Sequence, residues 1–391
     1  MKIKIALILI ISSMLLCGCW DSIEIDNRCF ISTIGIDVGK DIGKEGDLKA
    51  ISPKEPFAER EVEKLNVTYG YPDISSLAPT KGGTAEGKFI TTPAYSMADA
   101  VSMATAKSSR SLDFGHDEII LLSSDILAFP NTIKEVIDYL QRQPTLNRMA
   151  LVLVADGNVE DYVKYKPDME KNIGSYLVGL MKNSSTNATI LPVTLNQLLI
   201  LLSENGNALI PRIKLDKAKN ELNLSGVAII KNYTLKGYLN PIETSDLEIL
   251  RGKLKSGKKM IYMKGHPIDF QIENTERKIT VINNKNNIEF HIDILLEGQI
   301  KGYTVDDDVF SKEKLDNLED DFNKSLSEEC QKVAQITQIE FGVDPIGFRE
   351  NIEKYNVALW NKVKGNWSEA YKNAIIKVNV TTHIRRVGVV K

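Results

Sequence analysis

Residues 118–155 read EIILLSSDILAFPNTIKEVIDYLQRQPTLNRMALVLVA. Apolar runs of strand length stand at the two ends, Glu118–Ser123 and Ala150–Ala155. Neither alternates with polar residues, so each reads as a strand covered on both faces. Between them, Thr132-Ile133-Lys134-Glu135 has the form of a capping box, in which the Thr oxygen accepts from the third backbone N–H and the Glu answers back. Ile133, Val136, Ile137 and Leu140 recur at helical spacing, and Pro144 lies just past the end. Strand, helix and strand make a βαβ unit, parallel and right-handed.

Upstream, Cys29–Asp37 is strand-like, and Ser96-Met97-Ala98-Asp99 opens a helix as a second capping box, with Met97, Val101 and Ala104 inward. Residues 38–92 between them are rich in Gly, Pro, Lys and Glu and read as a long, partly flexible excursion, with strand-like pieces such as Leu65–Tyr69. Downstream come helices around Val159–Tyr165 and Leu195–Leu202, the latter soon after Pro192. From about Leu222 strand-like runs follow at close spacing: 225–231, 235–239, 259–263, 268–272, 278–282 and 288–296, with a short helix at 245–250. That spacing predicts an antiparallel meander. Leu315, Leu318, Phe322, Leu326, Cys330, Val333, Ile336 and Ile339 then predict one long amphipathic helix ended by Gly342. A shorter helix near Phe348–Trp360 and a strand from Ala374 to Val380 or slightly beyond close the chain. The fold class is α+β and multidomain. A βαβ-containing part spans 19–205, and an antiparallel sheet packed by a long helix spans 222–391, with subdomains of about 222–300 and 301–391.

The first nineteen residues, MKIKIALILIISSMLLCGC, predict export. Lys2 and Lys4 precede an apolar run, Ile5–Leu16, of signal-peptide length and too short for a bilayer span. Leu16-Cys17-Gly18-Cys19 has the form of a lipobox. Residues 1–18 are then a signal peptide cut after the small Gly18, leaving Cys19 acylated with palmitate-class chains. Cutting before Cys17 would put bulky Leu16 at the site that wants a small residue. An uncleaved short anchor, or an ordinary signal peptide with a coincidental cysteine, is the alternative. Two acyl chains on one diacylglycerol meet the two-signal requirement for stable anchoring. Cleavage leaves 47 basic against 52 acidic side chains, a net charge of −5, which gives no electrostatic case for nucleic acid. Cys29 and Cys330 remain, three hundred residues apart, and read as isolated thiols rather than a disulfide.

The residues show no catalytic constellation. His116, His266, His291 and His383 are scattered, and HExxH, CxxC, EF-hand and GxSxG patterns do not occur. His116-Asp117-Glu118 is best read as a turn in which the histidine bonds the backbone, because consecutive residues at a strand start point to alternate faces. Gly252-Lys-Leu-Lys-Ser-Gly257-Lys258-Lys259 nearly matches a P-loop, but Lys259 stands where Ser or Thr must reach magnesium, and a strand follows instead of a helix. The cluster Arg251, Lys253, Lys255, Lys258, Lys259 and Lys264 reads as a solvated turn, with contact to anionic lipid or an acidic partner loop as the second reading. Asp306-Asp307-Asp308 reads as helix N-terminal charge. No cofactor and no metal are expected.

Taken in order, several short pieces resemble one family. Gly18-Cys19-Trp20-Asp21-Ser22-Ile23-Glu24-Ile25 stands first, then Ile34-Gly35-Ile36-Asp37 and Phe114-Gly115-His116. Asp138–Arg148 and Val152–Ala155 follow in the βαβ unit. Leu224–Lys231, Gly237-Tyr238-Leu239 and Leu247–Gly252 come next, then Phe341–Phe348, Trp360 and Trp367. This order resembles the C-subunit lipoproteins of bacterial spore germinant receptors, the Ger(x)C family, over nearly the whole chain. Residues 44–92 and Cys17 depart from its pattern. The resemblance implies three α+β domains and a non-enzymatic protein without established catalytic residues. It implies integral membrane partners, an A subunit with a large soluble part and a B subunit resembling amino-acid transporters. The complex responds to nutrients on the outer face of the inner membrane of a Gram-positive spore. The second function class is a solute-binding lipoprotein feeding a transporter, which needs two lobes; the C-terminal pattern offers no second α/β lobe. An exported hydrolase has no residues behind it.

Overall fold

The computed structural model describes residues 27–48, 62–73, 86–186, 192–263, 265–284, 287–301 and 311–387. The two strands of the quoted stretch form as expected. They are β6 (Ile119–Ser123) and β7 (Leu151–Ala155), paired in parallel across helix α2 (Pro130–Arg142). The helix begins one turn earlier than the capping box predicts. Pro130 occupies its first turn, no side chain caps it, and the Thr132 hydroxyl is buried without a partner. Proline has no N–H to satisfy and its φ suits a first turn, so it sets the start.

These strands lie mid-sheet. The order is β10-β9-β8-β7-β6-β2-β3-β4, with β2 (Thr33–Val38), β3 (Leu65–Pro72), β4 (Gly87–Ala94), β8 (Ala208–Asp216), β9 (Glu221–Lys231) and β10 (Thr234–Leu239). The four central strands are mutually parallel, and an antiparallel hairpin flanks each side. The first strand-like run divides: β1 (Arg28–Phe30) leaves to pair with β5 (Ser111–Asp113) in a two-stranded sheet.

Alternation in the central strands splits the core by face. Ile120, Leu122, Val152 and Val154 pack toward α1 (Met97–Ala106), α2 and a later helix, Leu195–Asn205. Ile119, Leu121, Leu153 and Ala155 pack toward α3 (Val159–Val163) and α4 (Ile173–Thr186). The helix at Leu195–Asn205 is α5. On α2 alone, Ile133, Val136, Ile137 and Leu140 are buried, each contributing about 1.5–3 kcal/mol of transfer free energy.

The excursion at 38–92 is corrected by the structure: β3 and β4 within it complete the main sheet. The Gly and Pro that made 87–94 look like a loop are tolerated because β4 is an edge strand, where a missing N–H breaks no ladder. The meander is corrected in the same way. Its first two runs, β9 and β10, join the large sheet, so the strand ladder crosses the interval 205–222. Helix α6 (Pro241–Arg251) follows.

The remaining runs form a second sheet in the order β11 (Gly257–Met263), β12 (His266–Asn284), β13 (Asn287–Lys301), β14 (Ile375–Val387). Pairing is antiparallel from β11 to β13, as expected, and β14 joins parallel to β13. A parallel partner needs a long crossover. It is supplied by α7 (Lys312–Gln335), α8 (Phe348–Tyr355), α9 (Val357–Val363) and α10 (Trp367–Lys372). The helix expected at Phe348–Trp360 breaks at Asn356, whose side chain accepts from the Leu359 N–H and starts α9. The long helix runs as predicted to Gln335, then widens into a π turn, Ile336–Phe341, ended by Gly342 in the left-handed conformation. The wider turn shifts the faces, so Thr337 and Gln338 are buried and Ile339 is exposed. Phe322, Leu326, Cys330 and Val333 pack on Phe270, Phe290 and Ile292, and this core extends to Val227, Ile229 and Leu239 of the first sheet.

Candidate functional site

Gly18 and Cys19 lie outside the described residues, as does Asp306-Asp307-Asp308. Among the described residues no helix is long and apolar enough to cross a membrane. The first described segment, Asn27 and β1, is tied to β5, where the Ser111 hydroxyl donates to the Asn27 carbonyl and Arg28 pairs with Asp113.

The turn at His116 is structural. Its exposed ring stands edge-on to Phe30 at 4.9 Å, with Nδ1 3.6 Å from the Asp113 carboxylate, so its partners are side chains and not the expected backbone groups. Asp117 and Glu118, just ahead of β6, have separate partners. Asp117 is buried and accepts from the Asn147 N–H at 2.8 Å, while burial pushes its carboxyl up to about 6. Glu118 lies 3.4 Å from the Ser175 hydroxyl, and burial raises it too. Among the described residues no group of three or more His, Cys, Asp or Glu side chains could hold a metal ion.

The P-loop-like stretch has the wrong geometry for phosphate. Gly252 is the left-handed cap of α6 and Gly257 opens strand β11, so no helix N-terminus faces the loop. The basic cluster around it is not one solvated turn. Lys259 is buried, in ion pairs with Asp246 and, at 3.0 Å, with Glu329. Burial alone would push Lys259 down; the two carboxylates outweigh it and hold the ammonium above its ordinary value. Lys258 points elsewhere, to Asp269 at 3.2 Å. Lys264 lies outside the described residues.

Arg251 and Lys253 instead line a cleft of about 570 Å³ where α5 and the β9 end meet α6, β12 and the segment 342–371. Arg251 pairs with buried Glu248 at 2.9 Å. Arg277 donates through Nη1 to the carbonyls of Leu250 (3.0 Å) and Ile346 (2.9 Å). Arg349 lies over the Trp360 ring at 5.7 Å, and Trp360 meets Trp367 edge-on at 6.1 Å. Asp344, half-buried, accepts from the N–H groups of Gly347, Phe348 and Arg349 at 2.8–3.2 Å, which starts α8.

The other family-like pieces also prove to be joints of the scaffold. Asp37 accepts from the Val159 N–H at 2.9 Å and docks α3 beside Gly35, where a side chain would collide with Val159. Asn147 holds Asp117. Lys231 donates to the Gly342 carbonyl at 2.7 Å, and Phe341 fills the space over Gly237, so the two sheets are fastened there. Phe348 stacks on Phe290 with centroids 4.2 Å apart. The cleft itself was missed by the sequence reading, because its residues are scattered from Val193 to Tyr371.

Comparisons agree with this layout. The model of the spore germination protein N-terminal domain matches residues 21–215, and that described as spore germination B3/GerAC like, C-terminal, matches 225–388. Spore germination protein B3 of Bacillus subtilis (strain 168) is 26% identical over 379 residues, 96% of this chain and 95% of the relative. Spore germination protein YndF of the same organism is 27% identical, covering 100% of this chain and 98% of the relative. The crystal structure of the GerBC protein has the same fold, with a TM-score of 0.60 at 24% identity over 86% of this chain and 100% of that one. With both models matched in order and relatives aligned end to end, the chain belongs to the Ger(x)C family of spore germination proteins.

Proposed function

We propose that this protein is the lipid-anchored, non-catalytic C subunit of a nutrient germinant receptor, acting with integral membrane A and B subunits to trigger spore germination. The observation that carries the reading is the end-to-end alignment with spore germination proteins, from residue 21 to 388 by the two models together. The use of the family-like residues as joints between elements supports it. A scaffold that presents surfaces to partners must hold its shape, and these residues hold it.

Cys19 is then the acylated residue and Gly18 the residue before the cut, on the outer face of the spore inner membrane. From Cys19 to Asn27 the chain spans at most about 28 Å when extended, so the β1–β5 edge stays within that distance of the bilayer. Confinement to such a layer raises the effective concentration beside A and B, and a modest interface suffices. The parts 19–205 and 222–391 act as one body on this reading, since β9 and β10 complete the first sheet. In a strain with no other receptor, deleting the gene should abolish germination with one nutrient class. Unchanged germination with every nutrient would refute the role.

The cleft is the one observation favouring the second reading, a solute-binding lipoprotein that delivers a nutrient to a transporter. Its C-terminal wall is not an α/β lobe but loops and helices over a four-stranded sheet. Calorimetry with nutrient mixtures separates the two, since tight direct binding belongs to the second.

A further inference from the structure

The cleft between the two sheets carries an imbalance of charge that its scaffold contacts offset only in part: Arg251 pairs with Glu248, and Arg349 lies 3.8 Å from both Glu204 and Glu353. Six cations line it, Lys231, Arg251, Lys253, Arg277, Arg349 and Lys364, against three carboxylates, Glu204, Asp344 and Glu350. This stands in a chain whose overall charge is negative. One of the three carboxylates, Asp344, is half-buried and committed to three backbone N–H groups. Burial, the largest cause, raises its carboxyl, against the three N–H groups that lower it.

The cations crowd one another. Arg251 is the main cause that lowers Lys253, and after burial it is the next cause that lowers Arg277; Glu248 and Glu350 oppose it at Lys253, and Asp344 and Glu350 at Arg277, and the net direction at both is down. Like charges gathered in a concave, partly desolvated wall repel, and an anion placed among them relieves that repulsion. Donors remain for it. Arg277 uses Nη1 on two backbone carbonyls, and no partner among the described residues takes its Nε or Nη2. Lys253 is exposed on this wall and has no ion-pair partner among the described residues.

The same cleft has an aromatic lining. Trp360 and Trp367 stand edge to face, Arg349 lies over Trp360, and Trp367 stacks on Tyr371 at 5.9 Å. A volume of about 570 Å³ lies in the range of small-molecule sites. Cationic forks and aromatic rings in one cleft suit a ligand with an oxyanion at one end and an apolar or planar body at the other.

We propose that this cleft binds a small organic oxyanion, with its carboxylate or phosphate group among Arg251, Lys253 and Arg277 and its body against Trp360 and Trp367. The inference goes beyond the receptor role and does not rest on it. A ligand here would bridge segments from both sheets and so report its presence across the whole molecule.

The test uses the full chain in a neutral detergent, with tryptophan fluorescence and calorimetry as readouts. The probes are benzoate, its uncharged isostere benzamide, inorganic phosphate and citrate. At least one of the three anions should bind saturably and at least tenfold more tightly than benzamide. Preference for benzoate assigns a carboxylate source, and preference for phosphate assigns a phosphate source. Lys253→Glu should weaken that binding about tenfold or more, the loss of one charge-assisted contact. Lys258→Glu, outside the cleft lining and beside Asp269, should leave it unchanged. Both positions are exposed, and matching thermal unfolding of the two variants controls for folding. Absence of saturable binding by all three anions, equal binding of benzamide, or equal loss in the two variants would overturn the proposal.

Discussion

Gly226 holds a φ of +89° in β9, a backbone conformation that side-chain-bearing residues rarely adopt. A Cβ there would also collide with the Leu239 carbonyl of the neighbouring strand β10. Gly226→Ala should therefore destabilise the fold by about 3 kcal/mol, read as a lower urea midpoint. Asp117 makes a different prediction. Its carboxyl rises from 3.8 to about 6 on folding because burial disfavours the charge. The native state thus holds this proton more tightly than the unfolded chain does, and the contribution falls as pH rises from about 4 through about 6. Asp117→Asn should flatten that part of the stability–pH profile; an unchanged slope in urea titrations at pH 4 and 7 would contradict it. Lys259 is a third case. Lys259→Met leaves Asp246 buried without its cation and should cost about 3–5 kcal/mol. From the sequence Lys259 was indistinguishable from its solvated neighbours, because its burial is decided by two carboxylates on other elements, Asp246 on α6 and Glu329 on α7.

Among the elements, α7 shows most clearly what periodicity reveals and what it hides. Its apolar positions from Leu318 to Val333 were legible and are buried. Periodicity says nothing of the partners of Glu319, Asn323, Ser327 and Gln331. In the structure these side chains accept from the N–H groups of Ile384, Thr382, Val380 and Val378 on β14, at 2.6–3.0 Å. Four helical residues advance about 6 Å, close to the advance of two strand residues, so the helix caps every second N–H of an edge strand. Such coverage protects an edge that would otherwise template pairing with another chain. Ser327→Ala with Asn323→Ala should cost about 1–2 kcal/mol per lost partner and speed hydrogen exchange at Val380 and Thr382. Unaltered exchange at those two amides would sink this account of the edge. The βαβ unit was readable because both of its strands are apolar on both faces. Strand β4 was not, since an edge strand tolerates the Gly and Pro that signal a loop.

At the scale of the whole molecule, the two sheets behave as one body. Val227, Ile229 and Leu239 of the first sheet pack in the core of the second, and Lys231 reaches the Gly342 carbonyl at the end of the π turn. A chain cut after Asp216 would lose β9 and β10 and expose the β8 edge, so it should fail to unfold cooperatively. The cleft at this junction was not visible in the sequence because no single motif builds it; topology gathers its residues. The proposed N-terminal leader, by contrast, was read from local sequence alone, and on it the proposed role depends most. That dependence is testable in spores carrying Cys19→Ala in place of the natural residue, in a strain with no other receptor, by following nutrient-triggered germination alongside the amount of the chain in the inner-membrane fraction. The chain should leave the membrane fraction and the nutrient response should be lost. Full germination with the chain absent from the membrane would contradict the proposed role.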